Sequence, residues 1–108
     1  MIPYIVPYYE IIETGDYYSR KLCITPAHTF VRLTQLALRF IPATSGLFEL
    51  LIKVGETFYP IARIEYTYDF STYHTLLNAL LLPGTEVWAE FSTTGFTEIY
   101  VTLFGEML

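Results

Sequence analysis

The sequence is poorest in the groups that do chemistry. Among its 108 residues are one cysteine, two histidines and only six lysines and arginines together. The lone Cys23 excludes an internal disulfide and reads as a small buried hydrophobe rather than a reactive thiol. Cys23, His28 and His74 are the only nitrogen or sulfur ligands to hand, and the gap from Cys23 to His28 matches no zinc pattern. No Asp-rich loop of the EF-hand type occurs, since Asp16 and Asp69 stand far apart. Neither a metal nor a cofactor is expected. The six glycines stand singly, so no glycine-rich phosphate cradle is present either.

Long apolar runs are also missing. The longest block, Leu76 to Leu82, is broken by Asn78 and stops at Pro83-Gly84, far short of the roughly 20 residues a membrane-spanning helix needs. Met1-Ile2-Pro3-Tyr4-Ile5 has no basic start and no long apolar stretch, so no signal peptide is expected. Charge is scarce, at 16% of residues against roughly 25% in an ordinary soluble domain. It is also unevenly placed. Residues 1–46 hold Glu10, Glu13 and Asp16 against Arg20, Lys21, Arg32 and Arg39, a net +1; residues 47–108 hold eight acids against Lys53 and Arg63, a net -6. Phosphate backbones are bound by lysine and arginine that displace counterions, so nucleic acid is not an expected partner.

Apolar and aromatic residues are plentiful, at 53% and 18%, with ten Tyr, eight Phe and one Trp. That much apolar surface offsets chain entropy and excludes disorder. It also exceeds what one small domain can hide, which points to aromatic surface facing a partner. The length fits one domain over residues 1–108, with residues 1–20 read as an N-terminal arm or edge strand because Pro3 and Pro7 limit regular pairing.

The dominant period is two, the mark of strands with one buried face. From Phe58 to Phe70 the even positions are apolar or aromatic and the odd positions carry Arg63, Glu65, Thr67 and Asp69, which predicts one long strand with aromatics on a single face. Leu47 to Val54 precedes it, and Gly55-Glu56 between them predicts a tight hairpin. Leu36, Leu38 and Phe40 alternate with Ala37 and Arg39 as a strand does, with an amphipathic helix over Leu33, Leu36, Ala37 and Phe40 as the rival. Val87 to Phe91 and Ile99 to Leu103 flank Ser92-Thr93-Thr94-Gly95 and read as a second hairpin. Tyr4 to Glu13 and Tyr17 to Thr25 flank a turn at Thr14-Gly15-Asp16. Residues 72–81 leave three readings open: a short helix with Tyr73, Leu76, Leu77 and Leu80 on one stripe, a strand, or an irregular crossover. Seven or eight strands with turns every 8–12 residues point to an all-β antiparallel sandwich or small barrel.

Catalytic patterns are thin. Asp69, Ser71, Thr72 and His74 gather the residue types of a nucleophilic hydrolase without a nucleophile elbow, and capping of backbone N–H groups accounts for them more simply. Glu86 and Glu90 share a strand face with Trp88, as paired carboxylates beside an aromatic would in a glycosidase, though such residues ordinarily solvate and protect a strand. No catalytic residue is assigned. Tyr4, Tyr8, Tyr9, Tyr17 and Tyr18 crowd the N-terminal region and are the candidate interface, because tyrosine gives large contact area at little entropic cost. Trp88 and Tyr73 are the candidate platform for a sugar ring.

Gly46-Leu47-Phe48-Glu49-Leu50-Leu51-Ile52, the tight turn, the strand from Phe58 to Tyr68, a crossover, Leu82-Pro83-Gly84-Thr85-Glu86-Val87-Trp88 and Tyr100-Val101-Thr102-Leu103-Phe104-Gly105-Glu106 together resemble a small jelly-roll domain. In style it is similar to phage and viral virion proteins such as capsid decoration, spike-base and receptor-binding modules, over about residues 34–106. The resemblance implies a jelly-roll fold and a non-enzymatic structural role in the virion, assembled in the host cytoplasm. It implies a homo-oligomer, a trimer first, seated on other capsid proteins, and it transfers no catalytic residues. A glycan-binding module of the same fold is the alternative it leaves open.

Overall fold

Each of the eight strands carries the two-residue alternation or the β-branched and aromatic content that suits a pleated, half-buried surface. The computed structural model describes residues 1–13, 17–92 and 97–108. The strands are β1 (Ile2–Ile12), β2 (Tyr18–Ile24), β3 (Val31–Ile41), β4 (Gly46–Val54), β5 (Thr57–Tyr66), β6 (Thr72–Leu81), β7 (Glu86–Phe91) and β8 (Thr97–Met107). They form two four-stranded antiparallel sheets, a first in the order β1-β8-β3-β6 and a second in the order β2-β7-β4-β5. Every connection but one crosses between the sheets; only β4 to β5 stays within one. That interleaving is the double Greek key of a jelly roll.

The β4–β5 hairpin stands where the sequence places it, with Gly55 at φ 62° in its turn, a conformation that costs glycine nothing. One open reading is settled and one expectation is corrected. Residues 72–81 are strand β6, not a helix: their burial alternates residue by residue, and Tyr73, Thr75, Ala79 and Leu81 take the inner side. The pair Val87 to Phe91 and Ile99 to Leu103 is not a hairpin, because β7 lies between β2 and β4 while β8 lies between β1 and β3. Of the two turns proposed beside them, Thr14-Gly15-Asp16 and Thr93-Thr94-Gly95 lie outside the described residues.

The long strand expected from Phe58 to Phe70 ends at Tyr66, and its register against β4 shifts between Leu50 and Leu51. The extra residue changes which side chains face inward. Ala62, Ile64 and Tyr66 turn to the core, whereas Phe58 pairs with Lys53 on the outer surface. Tyr68 and Phe70, beyond the strand, are exposed.

The core lies between the sheets. Leu33, Leu36, Leu38 and Phe40 of β3 and Ile99, Val101 and Leu103 of β8 meet Phe48 and Leu50 of β4 and Val87, Ala89 and Phe91 of β7, all essentially inaccessible. At one end Phe40 stacks on Tyr66 with ring centroids 4.1 Å apart, and Tyr73 meets both edge-on at 6.3 Å. The Tyr66 hydroxyl donates to the carbonyl of Ser92. The Tyr73 hydroxyl accepts the Thr67 N–H at 2.8 Å and lies 3.2 Å from the Thr67 and Phe70 carbonyls, holding the β5–β6 loop. At the other end the buried Thr25 hydroxyl donates to Leu82 O at 2.9 Å and accepts the Thr85 N–H at 2.8 Å. Those bonds secure the turn whose Gly84 sits at φ 72°.

Candidate functional site

Parity along β1 decides what the N-terminal tyrosines do. Tyr4 and Tyr8 are partly buried and pack on the core, while Tyr9 points to the outer surface of the first sheet and is 47% exposed. Tyr18 stacks on Phe91 with centroids 5.4 Å apart, and Tyr17 is exposed just ahead of β2. The five therefore do not form one patch. Burial raises the Tyr4 hydroxyl well above its ordinary value, helped by its contact with Cys23. Burial likewise raises the Cys23 thiol, which leaves it protonated and unreactive at neutral pH.

Between the sheets, along the β1 and β2 side, sits a polar knot. The Arg20 Nε donates to both Glu10 carboxylate oxygens at 2.8 and 2.9 Å, and the Tyr8 hydroxyl donates to the same carboxylate. Burial pushes the Glu10 carboxyl up, but the bonds from Arg20 and Tyr8 outweigh it and hold it below its ordinary 4.5. The unfolded chain therefore takes up this proton more readily than the folded one. Its contribution is complete above pH 4.5 and fades as the pH falls through the folded-state value. Glu10→Gln should cost about 1 kcal/mol at neutral pH, since the pair is part-exposed, and should lose less stability between about pH 7 and about pH 3 than the parent. Urea midpoints at the two pH values test this; identical pH dependence in both proteins would contradict it.

The two outer faces differ in character. On the second sheet the outward positions carry Lys21, Lys53 and Arg63 with Glu49, Glu65, Glu86 and Glu90, including a Lys21–Glu86 pair at 3.9 Å and an Arg63–Glu65 pair at 3.7 Å. Trp88 stands among them. Its Nε1 donates to Glu86 Oε1 at 3.0 Å, and Phe58 meets its ring edge-on at 5.4 Å. Tyr73 is not beside it but inside the first sheet, bonded to its own loop, so the proposed Trp88–Tyr73 platform is not assembled. Tyr17 completes the acidic end: its bond to Glu90 pushes its hydroxyl up to about 12.

The outer face of the first sheet mixes exposed apolar side chains with neutral polar ones and few charges. Its rows, read across the register, are Tyr9–Tyr100–Arg39–Thr72, Pro7–Thr102–Ala37–His74 and Ile5–Phe104–Gln35–Leu76. Ile5 is 59% exposed, Ile11 55% and Leu76 85%. Tyr9 and Tyr100 pack at 4.7 Å, the Tyr9 hydroxyl donates to Glu98 at 2.5 Å, and the Arg39 guanidinium lies 5.8 Å from the Tyr100 ring centre. Arg32 and Arg39 balance Glu98 and Glu106 there, in a chain whose net charge is -5. The sequence names several of these residues singly but does not assemble them into one face. Their trace was present: Ile5 and Ile11 in β1, and Leu76 and Leu80 in β6, occupy the parity opposite to the buried set.

The residues once weighed for hydrolysis do not draw together into a site. His74 stands on the outer face, its Nδ1 3.2 Å from Gln35 Nε2, and the Asp69 N–H bonds to the Thr67 hydroxyl in the loop after β5. Among the described residues no group of three or more His, Cys, Asp or Glu side chains is placed to hold a metal ion, and no helix is long and apolar enough to cross a membrane.

No known sequence family matches the chain, and no curated protein matches it in sequence. Solved structures do match in shape. The capsid structure of Helicobacter pylori bacteriophage KHP30 gives a TM-score of 0.58 at 12% identity, over 100% of this chain and 92% of that one. This chain shares its jelly-roll β-sandwich fold. The C-terminal CBM6 of LamC, a marine laminarinase from Zobellia galactanivorans, gives 0.50 at 13% identity over 94% and 98%. The Podospora anserina GH26-CBM35 β-(1,4)-mannanase gives 0.50 at 14%, over 94% of this chain but 28% of that one. The resemblance to virion jelly rolls thus holds at the level of the fold, which carbohydrate-binding modules share.

Proposed function

We propose that the chain is a non-enzymatic structural subunit of a virus particle, a capsid-associated or decoration protein acting through contacts with copies of itself and with the capsid. The observation that carries this reading is the outer face of the first sheet, where exposed leucines, isoleucines and tyrosines stand among balanced charges. Exposed Ile5, Ile11, Leu76 and Leu80 gathered on one sheet face suit an interaction surface. Four strands at about 4.8 Å spacing and about 3.3 Å rise give that face about 650 Å², so covering it with a like surface buries about 1,300 Å², within the range of stable specific interfaces. The likeness to a phage capsid structure supports the same reading through the fold. The trimer implied by the sequence resemblance is one arrangement that measured mass distinguishes.

Introducing two charges tests it. Ile5→Lys with Ile11→Lys alters only exposed side chains of an edge strand, where lysine is well tolerated, so the circular dichroism spectrum should be unchanged. Sedimentation velocity should show the double variant associating at least about tenfold more weakly than the parent. Identical sedimentation of the two proteins would remove this face from the account.

A glycan-binding reading rests on Trp88, an aromatic beside Glu86, Lys21 and Lys53. Its indole N–H is already given to Glu86 and Phe58 abuts its ring, so the fluorescence of this sole tryptophan should stay constant on titration with a soluble β-glucan or mannan. A saturable change, lost in a Trp88→Phe protein that remains folded, would favour that reading instead.

A further inference from the structure

A β-sandwich of two open sheets has four edge strands, and each presents unpaired N–H and C=O groups that another strand can use. Three of the four edges here carry the features that discourage such pairing. Strand β1 has Pro3, Pro7 and Glu10; β2 has Arg20, Lys21 and a register shift; β5 has Pro60, Arg63, Glu65 and a register shift. Strand β6 has none of these residues. Its ten residues, Thr72–Leu81, include no proline, no glycine and no Asp, Glu, Lys or Arg. The register against β3 shifts opposite Leu77 and Asn78, yet the inward–outward alternation of β6 itself runs unbroken from end to end. Its outward positions hold Leu76 and Leu80, 85% and 54% exposed.

We propose that β6 is the seam at which two copies of this chain join, pairing antiparallel about a twofold axis so that the two first sheets become one eight-stranded sheet. The inference rests on the self-association reading above and gives it a specific contact and number, a dimer where the resemblance implied a trimer. A second copy is the fitting occupant on three grounds. Antiparallel self-pairing is twofold-symmetric and closed, so it ends at two copies rather than growing into a fibre. The copies each carry a net charge of -5, and β6 is the edge at which they meet without opposing Asp, Glu, Lys or Arg side chains of like sign. The register also has a natural centre: outward residues stay on one side only if the axis passes through a residue rather than between two. Centring on Leu76 sets the chain's most exposed leucine against its symmetry mate, with His74 opposite Asn78 and Leu80 opposite Thr72. The joined sheet makes the outer faces of both copies continuous.

Cross-linking reads this register directly. Directly opposed residues of an antiparallel pair have Cα atoms about 4.5–5.5 Å apart, within the range a disulfide spans. Leu76→Cys should therefore form a covalent dimer of twice the 12.5 kDa chain mass on mild oxidation. Leu80→Cys should not, because its mate lies about 26 Å along the pair, and the parent chain, with only part-buried Cys23, should not either. Leu76→Lys sets two like charges face to face and should weaken dimerisation at least about tenfold while leaving the fold unchanged, as read by circular dichroism. Cross-linking of Leu76→Cys no better than Leu80→Cys, or undiminished dimerisation of Leu76→Lys, would overturn the seam. If the parent still runs as a multimer in that case, the self-association reading stands without it; a monomeric parent ends both.

Discussion

Phe40→Ala should lower the free energy of unfolding by about 3–5 kcal/mol, the cost of emptying a buried aromatic site that cannot collapse. The site is rigid for identifiable reasons. Phe40 is 1% exposed, stacked at 4.1 Å on Tyr66 and flanked by Tyr73, and both tyrosines are anchored by their hydroxyls to backbone groups of other segments. The rings around the vacated space therefore have little freedom to move into it. The Phe40 N–H also bonds to Ser71 O at 2.8 Å, so the backbone of β3 is fixed where the hole opens. Phe40→Leu keeps most of the volume and should cost about 1–2 kcal/mol. Urea unfolding of both variants measures the difference. A Phe40→Ala protein within about 1 kcal/mol of the parent would mean that this end of the sandwich is loosely packed.

Gly105→Ala is the second large effect, and its origin is crowding rather than a hole. Gly105 lies in β8 between β1 and β3, paired with Tyr4 on one side and Leu33 on the other. A Cβ there would run into the carbonyl oxygen of Arg32, with the Arg32 carbonyl carbon at 3.1 Å and Leu33 Cα at 3.2 Å. These are backbone atoms of an interior strand, so no side chain can swing aside. The close approach coincides with the register shift of β3 between Leu33 and Gln35, which is seen against both of its neighbours. The expected loss is about 3 kcal/mol, the upper part of the usual range for overpacking. By contrast Gly55→Ala, where nothing lies within 4 Å but φ is 62°, should cost about 1 kcal/mol through backbone conformation alone. Urea midpoints in the reverse order would refute the steric account of Gly105.

The sequence discloses the β4–β5 hairpin because turn chemistry and strand period agree there, and because this is the one connection that stays within a sheet. The same logic fails for β7 and β8: their alternation and turn residues look like a hairpin, yet the chain crosses to the other sheet. Local pattern does not encode that choice. Residues 72–81 mislead for a related reason. Tyr73, Leu76, Leu77 and Leu80 imitate a helical stripe because large apolar side chains fall on both faces of this strand, Tyr73 and Leu77 packed on the core and Leu76 and Leu80 turned outward. The spread of the tyrosines over both faces was legible from parity; which parity turns inward, Tyr8 rather than Tyr9, is set by the packing of β1 on the core. The β5 bulge reverses the same kind of assignment for Phe58. What sequence could not disclose, the balanced charge of one sheet face and the unguarded edge beside it, depends on register between strands distant in the chain.

The most direct test of the account is the solution mass of the unmodified chain, by size-exclusion chromatography with light scattering over a range of concentrations. A mass above 12.5 kDa, in multiples of two chains, is the expected result. A single species of 12.5 kDa at every concentration would contradict it.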